Sequence, residues 1–211
     1  MMSATTRAQL VKVIALTGAV LGCYLLLNQG VQTISQRLSA GDSWLGAVLH
    51  YLSFLTILTN AALVAVYAWF LSGQRVLRWM GHPSLHAFLV ALALLVGAVW
   101  HVLLRPTEGL SVNGVGLHYV APALFLIWWI LRKPKERPRF FDGLSLMLIP
   151  IGYAVWVLSR GALTGDYPYD FITVPNVGYQ AALTTIGALM VAQLLLAMGF
   201  VAVGRFRAPP A

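Results

Sequence analysis

Six apolar segments, each near the length that spans a lipid bilayer, constrain the fold of this chain more than any other feature of its sequence. A hydrocarbon core of about 30 Å needs roughly 20 helical residues. Charged residues make up only 9% of the chain and hydrophobic residues 59%, whereas about a quarter of a soluble domain is charged. The sequence therefore predicts an all-α polytopic membrane protein, a six-transmembrane-helix bundle in one domain over residues 1–211. The predicted spans are approximately 9–28, 44–71, 83–104, 114–131, 142–160 and 178–203.

The positions of the basic residues predict the orientation of the bundle. With a cytoplasmic N-terminus, only Arg37, Arg105 and Arg160 of the 14 basic residues lie on the outer side. The other 11 fall on the inner side: Arg7, Lys12, Arg75, Arg78, Arg132, Lys133, Lys135, Arg137, Arg139, Arg205 and Arg207. Because Lys and Arg collect in cytoplasmic loops, both termini are predicted to be cytoplasmic. Membrane topology thus accounts for the net charge of +8, and no nucleic-acid partner is expected.

Several residues near the predicted helix ends have a structural interpretation. His82 and His86 are spaced i, i+4 at the cytoplasmic edge, but no carboxylate or Cys accompanies them. We interpret them as a solvated helix start, and no metal or other cofactor is predicted. Tryptophans at helix ends are typical of an interfacial aromatic belt, and five fit this description: Trp44, Trp79, Trp100, Trp128 and Trp129.

The N-terminal segment allows an alternative reading. Arg7, Lys12 and the apolar run after them resemble a signal peptide, and the run from Val20 to Cys23 resembles a lipoprotein cleavage box. Apolar sequence continues past Cys23, however, and removing this segment would leave an odd number of spans. The six-helix interpretation is therefore preferred. Cys23 is the only cysteine, so no intrachain disulfide is possible.

A polar stripe interrupts the second apolar segment. Ser53, Thr56 and Asn60 are spaced i, i+3, i+7, so on one helix they would share a face. Polar residues in a span are costly unless they face other helices or a cavity. One interpretation is that they hold helices together, as Ser, Thr and Asn often do in membranes. The other is that they line a functional cavity.

Histidine residues in the outer half of the bundle suggest what such a cavity would do. His118 is expected about 6 Å below the outer boundary and Thr56 about 12 Å below it. A buried imidazole stays neutral and can act as the base that activates a threonine hydroxyl. Asn60 or Tyr119 could donate to the resulting oxyanion. No acidic third member is certain, and the acids on this side are Asp42, Glu108, Asp166 and Asp170.

These considerations predict one cavity in the outer half of the bundle, lined by Ser53, Thr56, Asn60 and His118. His101 and Arg105, spaced i, i+4, are expected near its mouth, where Arg105 could pair with a substrate carboxylate. An acyl-chain substrate would enter such a site laterally from the bilayer. Ser53, Asn60, His101, Arg105 and Tyr119 are the candidate substrate-binding residues.

Three short motifs, in this order, resemble the androgen-induced protein family in its bacterial branch. They are Phe54-Leu-Thr56, His118-Tyr-Val-Ala-Pro122 and Gly165-Asp-Tyr-Pro-Tyr-Asp-Phe171. The resemblance implies a six-span threonine hydrolase of fatty acid esters of hydroxy fatty acids, with Thr56 as nucleophile and His118 as its partner. It also implies a multi-pass protein of the bacterial inner (plasma) membrane. Asp170 stands where the family's usual form has Pro.

Three other functions are compatible with this sequence. A non-catalytic lipid-binding or structural membrane protein would need the same helices and no turnover. A haem-binding bundle would use intramembrane His as ligands, but no clear His pair lies on facing helices at both membrane sides. A transporter is disfavoured because no acidic residue lies deep in a span to couple protons or sodium.

Overall fold

The computed structural model describes residues 3–74, 77–105 and 109–209. Within these ranges the chain is helical and contains no β-strand, which confirms the predicted fold class. Arg75 and Glu108, both named above, lie outside the described residues. The helices, in chain order, are α1 (Ala4–Ser39), α2 (Trp44–Tyr51), α3 (Leu55–Ser72), α4 (Pro83–Leu104), α5 (Val112–Leu131), α6 (Phe140–Ser145), α7 (Leu148–Thr164) and α8 (Val174–Arg207).

Six helical stretches in the described residues are long and apolar enough to cross a membrane. They are α1, α3, α4, α5, the stretch that combines α6 with α7, and α8. The first and last are longer than the predicted spans 9–28 and 178–203. Ser3 caps α1, because its hydroxyl accepts the Thr6 N–H at 3.1 Å. Helix α8 contains one non-helical residue, Gly178, whose φ is +79°.

Helix α4 lies at the centre of the bundle and is buried over most of its length. It packs against α8, α3 and α5. Aromatic side chains fill the core beside it, with Tyr67, Phe88, Phe125 and Trp128 all at most 2% exposed. Tyr67 meets both Phe125 and Trp128 edge to face, with 5.5 Å between ring centroids in each pair. The core is therefore assembled around α4.

The beginning of α1 and the end of α8 lie at the same end of the bundle. The Arg7 Nε donates to the Leu131 carbonyl at 2.7 Å, and Arg207 donates to the Trp129 carbonyl at 2.7 Å. Arg132 follows α5 at this end, and its guanidinium lies 5.1 Å from the Trp128 ring centroid. An even number of spans requires this arrangement. The cytoplasmic location of this end stays a prediction.

The second predicted span, 44–71, is not one helix. Helix α2 ends at Tyr51 and α3 begins at Leu55, with Phe54 in extended conformation (φ −79°, ψ 122°). Two tyrosines hold the break: Tyr153 donates its hydroxyl to the Ser53 carbonyl at 2.7 Å, and the Tyr169 hydroxyl accepts the Leu55 N–H at 2.8 Å. These partners satisfy backbone groups that would otherwise be unpaired at membrane depth.

The belt interpretation fails for three of the five tryptophans. Trp100, Trp128 and Trp129 are at most 7% exposed, so they belong to the protein interior. Trp44 and Trp79 are 66% and 61% exposed, as a belt requires. A helix end in the sequence does not distinguish the two cases, because burial depends on which neighbouring helix faces the ring.

Candidate active site

Thr56 and His118 are brought into contact by α3 and α5. The Thr56 Oγ1 lies 3.1 Å from the His118 Nε2, although 62 positions separate the two residues in the chain. Thr56 is the second residue of α3, directly after the helix break, and it is 7% exposed. His118 is half-buried in the first turns of α5. The pair forms the centre of the candidate site.

The second ring nitrogen fixes how this pair is protonated. The His118 Nδ1 lies 2.9 Å from the Gly114 carbonyl oxygen. A carbonyl only accepts, so Nδ1 carries the proton and donates to it. In the neutral ring, Nε2 is then the acceptor and the Thr56 hydroxyl donates to it. The imidazole is therefore oriented as a base toward a hydroxyl, with a backbone carbonyl in the place that a carboxylate takes in a serine hydrolase.

Two π-helical turns face each other at His118. One covers Trp100–Leu104 in α4 and the other covers Gly116–Val120 in α5. The wider turns change the direction of the side chains they carry, and such turns occur often at functional sites. The His118 ring lies flat against the Trp100 indole, with 4.6 Å between centroids and 7° between planes. Trp100 is 2% exposed, so the imidazole rests against a buried wall.

Asn60 connects the two helices that carry the pair. Its amide nitrogen donates to the carbonyl oxygens of Thr56, at 2.9 Å, and Leu117, at 3.1 Å. Both amide hydrogens are thereby used, so Asn60 is not a free donor for an oxyanion. The prediction that it would stabilise one is not supported by this geometry. Its place in the site is to hold the start of α5 against α3.

Tyr169 reaches the site from the loop before α8. Its hydroxyl accepts the Leu55 N–H at 2.8 Å, one residue before Thr56. Burial raises the pKa of this hydroxyl, so it keeps its proton at neutral pH and can donate. Sequence reasoning missed Tyr169 as a site residue. The signal was the Tyr-Pro-Tyr loop, which the family resemblance includes without a role for this position.

Two cavities meet at Thr56 and His118. The apolar cavity extends between α4, α7 and α8, and almost all of its lining is hydrocarbon. The second cavity, called the polar cavity because polar atoms form a larger share of its lining, lies toward α1 and the start of α5, where Gln29 and Ser111 line it. Thr56, His118 and Tyr169 line both. A molecule with a long apolar chain and a more polar part would place its junction at the Thr56 hydroxyl.

A charged cluster fixes the loop that carries Tyr169. Asp166 accepts from Arg160 and, at 2.9 Å, from the His50 Nδ1. Burial alone would raise the pKa of the Asp166 carboxyl, but the hydrogen bonds from Arg160 and His50 outweigh it and leave the pKa below its ordinary value. The His50 ring packs edge-on against Phe54, with centroids 5.1 Å apart. The cluster therefore joins the helix break to the loop.

None of the described acids on this side reaches His118. Asp166 belongs to the cluster above, Asp42 pairs with Arg37, and Asp170 is exposed at the start of a short 3₁₀ turn. The His118 Nδ1 already donates to the Gly114 carbonyl, and this is the nitrogen to which an acidic third catalytic residue would have to bond.

The remaining candidate residues have hydrogen-bond partners other than Thr56 and His118. His101, Arg105 and Tyr119 bond to one another, with the Tyr119 hydroxyl 2.6 Å and the Arg105 guanidinium 3.3 Å from the His101 Nδ1. They do not line either cavity. Ser53 is buried in the helix break and donates to the Leu49 carbonyl at 2.6 Å. The expected single stripe of Ser53, Thr56 and Asn60 is divided by that break.

The interpretation as a solvated helix start fails for His86, at the opposite end of the bundle. His86 is 1% exposed, its Nε2 donates to the Met80 carbonyl at 2.6 Å, and its Nδ1 accepts from Arg132 at 2.8 Å. His82 lies 3.7 Å from Asp142. His86 thus helps to hold the Arg132 guanidinium among the aromatic rings at this end.

Comparison with protein-family models, with curated proteins and with solved structures finds no match to this chain.

Proposed function

We propose that this protein is an intramembrane hydrolase of long-chain acyl esters, with Thr56 as nucleophile and His118 as general base. One observation carries the proposal: the Thr56 Oγ1 lies 3.1 Å from the His118 Nε2, and the Gly114 carbonyl holds the ring in the tautomer that accepts a proton. A helix-packing role alone does not need an imidazole oriented in this way.

The reaction follows from the positions of these groups. His118 Nε2 takes the Thr56 proton as Oγ1 attacks the ester carbonyl, and an acyl-threonine forms. The protonated imidazole then gives that proton to the departing alkoxide oxygen, which leaves as the alcohol. Water attacks the acyl-threonine with His118 again as base, and the fatty acid is released. Tyr169 is the candidate donor to the oxyanion, because its hydroxyl lies at the Leu55 N–H, next to Thr56, and both Tyr169 and Thr56 line the two cavities.

The two cavities support an ester of a lipid as the substrate. The apolar cavity suits the acyl chain, since its walls between α4, α7 and α8 are almost wholly hydrocarbon. The polar cavity suits the alcohol part, since Gln29 and Ser111 line it. The resemblance to the androgen-induced protein family favours fatty acid esters of hydroxy fatty acids. The resemblance also favours the bacterial plasma membrane as the location of the protein, and the distribution of basic residues favours cytoplasmic termini.

The test is ester hydrolysis by the purified full chain in liposomes. Thr56→Ala and His118→Ala are each expected to remove turnover, because a nucleophile and its base act as a unit. Thr56→Ser should keep part of the activity, since it keeps the hydroxyl. A fluorophosphonate probe should label the wild-type protein and spare Thr56→Ala.

Thr59→Ala is the matched control, because Thr59 is a buried threonine of the same helix (2% exposed) that lines neither cavity. It should retain turnover. A lipid-binding or structural protein predicts another result: Thr56→Ala would then cost only about 0.6 kcal/mol of helix-packing stability. Full turnover by purified Thr56→Ala would overturn the proposed mechanism.

A further inference from the structure

The apolar cavity contains one polar side chain far from Thr56. Gln193 of α8 lines this cavity and is 2% exposed. Its amide oxygen has no hydrogen-bond partner among the described residues. An amide oxygen that is buried in an apolar interior without a hydrogen-bond partner destabilises the folded protein. A glutamine at this position is therefore costly unless something that enters the cavity pairs with it.

The orientation of the Gln193 amide follows from its neighbour. Its nitrogen lies 3.4 Å from the Phe88 carbonyl oxygen and donates to it. Turning the amide over would place two acceptors against each other, so the oxygen is the group left for another partner. An amide oxygen only accepts. The missing partner must therefore be a donor such as a hydroxyl, and a carboxylate cannot take its place.

The position of Gln193 along the bundle sets where that donor would lie. Trp100 marks the level of the reaction, because its ring stacks on His118. Leu92, another lining residue, is eight positions earlier on α4, and Phe88 is twelve positions earlier. At 1.5 Å per residue the Gln193 amide lies on the order of 12–18 Å from the reacting carbonyl. That distance is within the reach of a long acyl chain.

We propose that Gln193 is a specificity residue that selects acyl chains carrying a hydroxyl part-way along their length. Apart from Thr56, His118 and the two tyrosines Tyr153 and Tyr169, the rest of the cavity lining is apolar, so an unsubstituted chain fits but leaves the amide oxygen unpaired. The amide oxygen itself is buried, so the glutamine side chain must rotate to bring it to the cavity surface, where a hydroxyl at the level of Gln193 pairs with it. The inference deepens the proposed hydrolase, on which it depends for turnover, while the binding preference stands on the cavity alone.

Binding is measured first, with the Thr56→Ala full chain in detergent micelles. Methyl octadecanoate and its mono-hydroxylated isomers, with the hydroxyl moved stepwise along the chain, compete against a pyrene-labelled acyl probe. Isomers whose hydroxyl reaches the level of Gln193 should bind roughly tenfold more tightly than the unsubstituted ester. Isomers with the hydroxyl nearer to or farther from the ester should show no such gain. In Gln193→Leu on the same background the gain should disappear.

Two variants serve as controls. Gln180→Leu makes the same chemical change at an exposed position of α8, and Met190→Leu changes the cavity wall without removing a polar group. Both should keep the preference. A glutamine that only packs α8 against α4 predicts a lower melting temperature for Gln193→Leu and no positional preference in the Gln193 protein. The absence of a positional preference in the protein that keeps Gln193 would overturn the proposal, and this measurement does not require Gln193→Leu to fold.

Turnover of the same esters separates this proposal from the hydrolase itself. If the wild-type protein hydrolyses these esters, Thr56→Ala does not, and binding shows no positional preference, the Gln193 site is overturned and the hydrolase proposal stands. A positional preference in binding, without hydrolysis of any isomer by the wild-type protein, would overturn the hydrolase and leave the Gln193 site.

Discussion

Gly97 of α4 lies directly against the backbone of His118 in α5. A Cβ atom added at Gly97 would lie 2.4 Å from the His118 carbonyl oxygen, which is closer than the two atoms can approach. The absence of a side chain at this position lets the two π-helical turns meet. The same contact places the His118 ring on Trp100, so the helix packing and the position of the proposed base depend on one glycine.

Gly97→Ala is expected to lower turnover at least tenfold, because the His118 backbone must shift and 1 Å of displacement in an active site is costly. The measurement is kcat for a long-chain ester, with the melting temperature taken on the same preparation. Gly187→Ala is the control, since a Cβ at Gly187 meets nothing within 4 Å. Equal turnover in the two variants would show that this contact does not position the imidazole.

Trp100→Ala should lower kcat by about tenfold, whereas Trp100→Phe should retain more of it. The reason is that an aromatic pair contributes roughly 0.5–1.5 kcal/mol beyond the area it buries, and a phenyl ring preserves part of the stack on His118. Steady-state kinetics of the two variants are the measurement. Trp79→Ala, at a tryptophan that is 61% exposed, controls for loss of an indole as such. The same kcat in Trp100→Ala as in the wild-type protein would contradict a positioning role.

Asp166→Asn should lower the melting temperature at pH 7 by a few degrees. Its partners hold the pKa of this carboxyl below the ordinary value of 3.8, so ionised Asp166 stabilises the folded state above that pH. The stabilisation is lost as pH falls through the lower, folded-state pKa. Melting curves from pH 7 down to about 2 should therefore show the gap between the wild-type protein and Asp166→Asn closing in acid. Asp170→Asn is the control: it removes an exposed carboxylate and should leave the melting temperature nearly unchanged. A gap for Asp166→Asn that stays constant across the pH range would contradict the predicted stabilisation by ionised Asp166.

Cysteine labelling tests the orientation. In a Cys23→Ser background, a membrane-impermeant maleimide added outside intact cells should label a Cys placed at Ser39 or Thr164 and spare one placed at Ser72. All three positions are exposed at helix ends, so access to solvent is matched. The basic residues near the chain termini give the physical reason. Labelling only at Ser72→Cys would show that the orientation is the reverse of the predicted one, with the candidate site in the cytoplasmic half of the bundle.

Membrane insertion and the six-span layout were readable from the sequence, because hydropathy and length act residue by residue along the chain. The break between Tyr51 and Leu55 was not readable, since no Pro interrupts the second segment there. The hydroxyls of Tyr153 and Tyr169 stabilise the break, and both come from distant parts of the chain. Local sequence predicts a continuous helix wherever only distant partners can satisfy an interruption.

Thr56 and His118 could be named as a pair from the sequence, through their residue types, approximate depths and the family resemblance. Their contact, the tautomer of the imidazole and the flat packing on Trp100 were decided only by tertiary structure. The same is true of Asn60. Its residue type is compatible with an oxyanion donor, but in the folded protein its amide hydrogens are donated to the carbonyls of Thr56 and Leu117. Hydrophobicity is a property that each residue brings with it, whereas a hydrogen bond depends on the direction and distance of a partner, and the folded bundle alone supplies these.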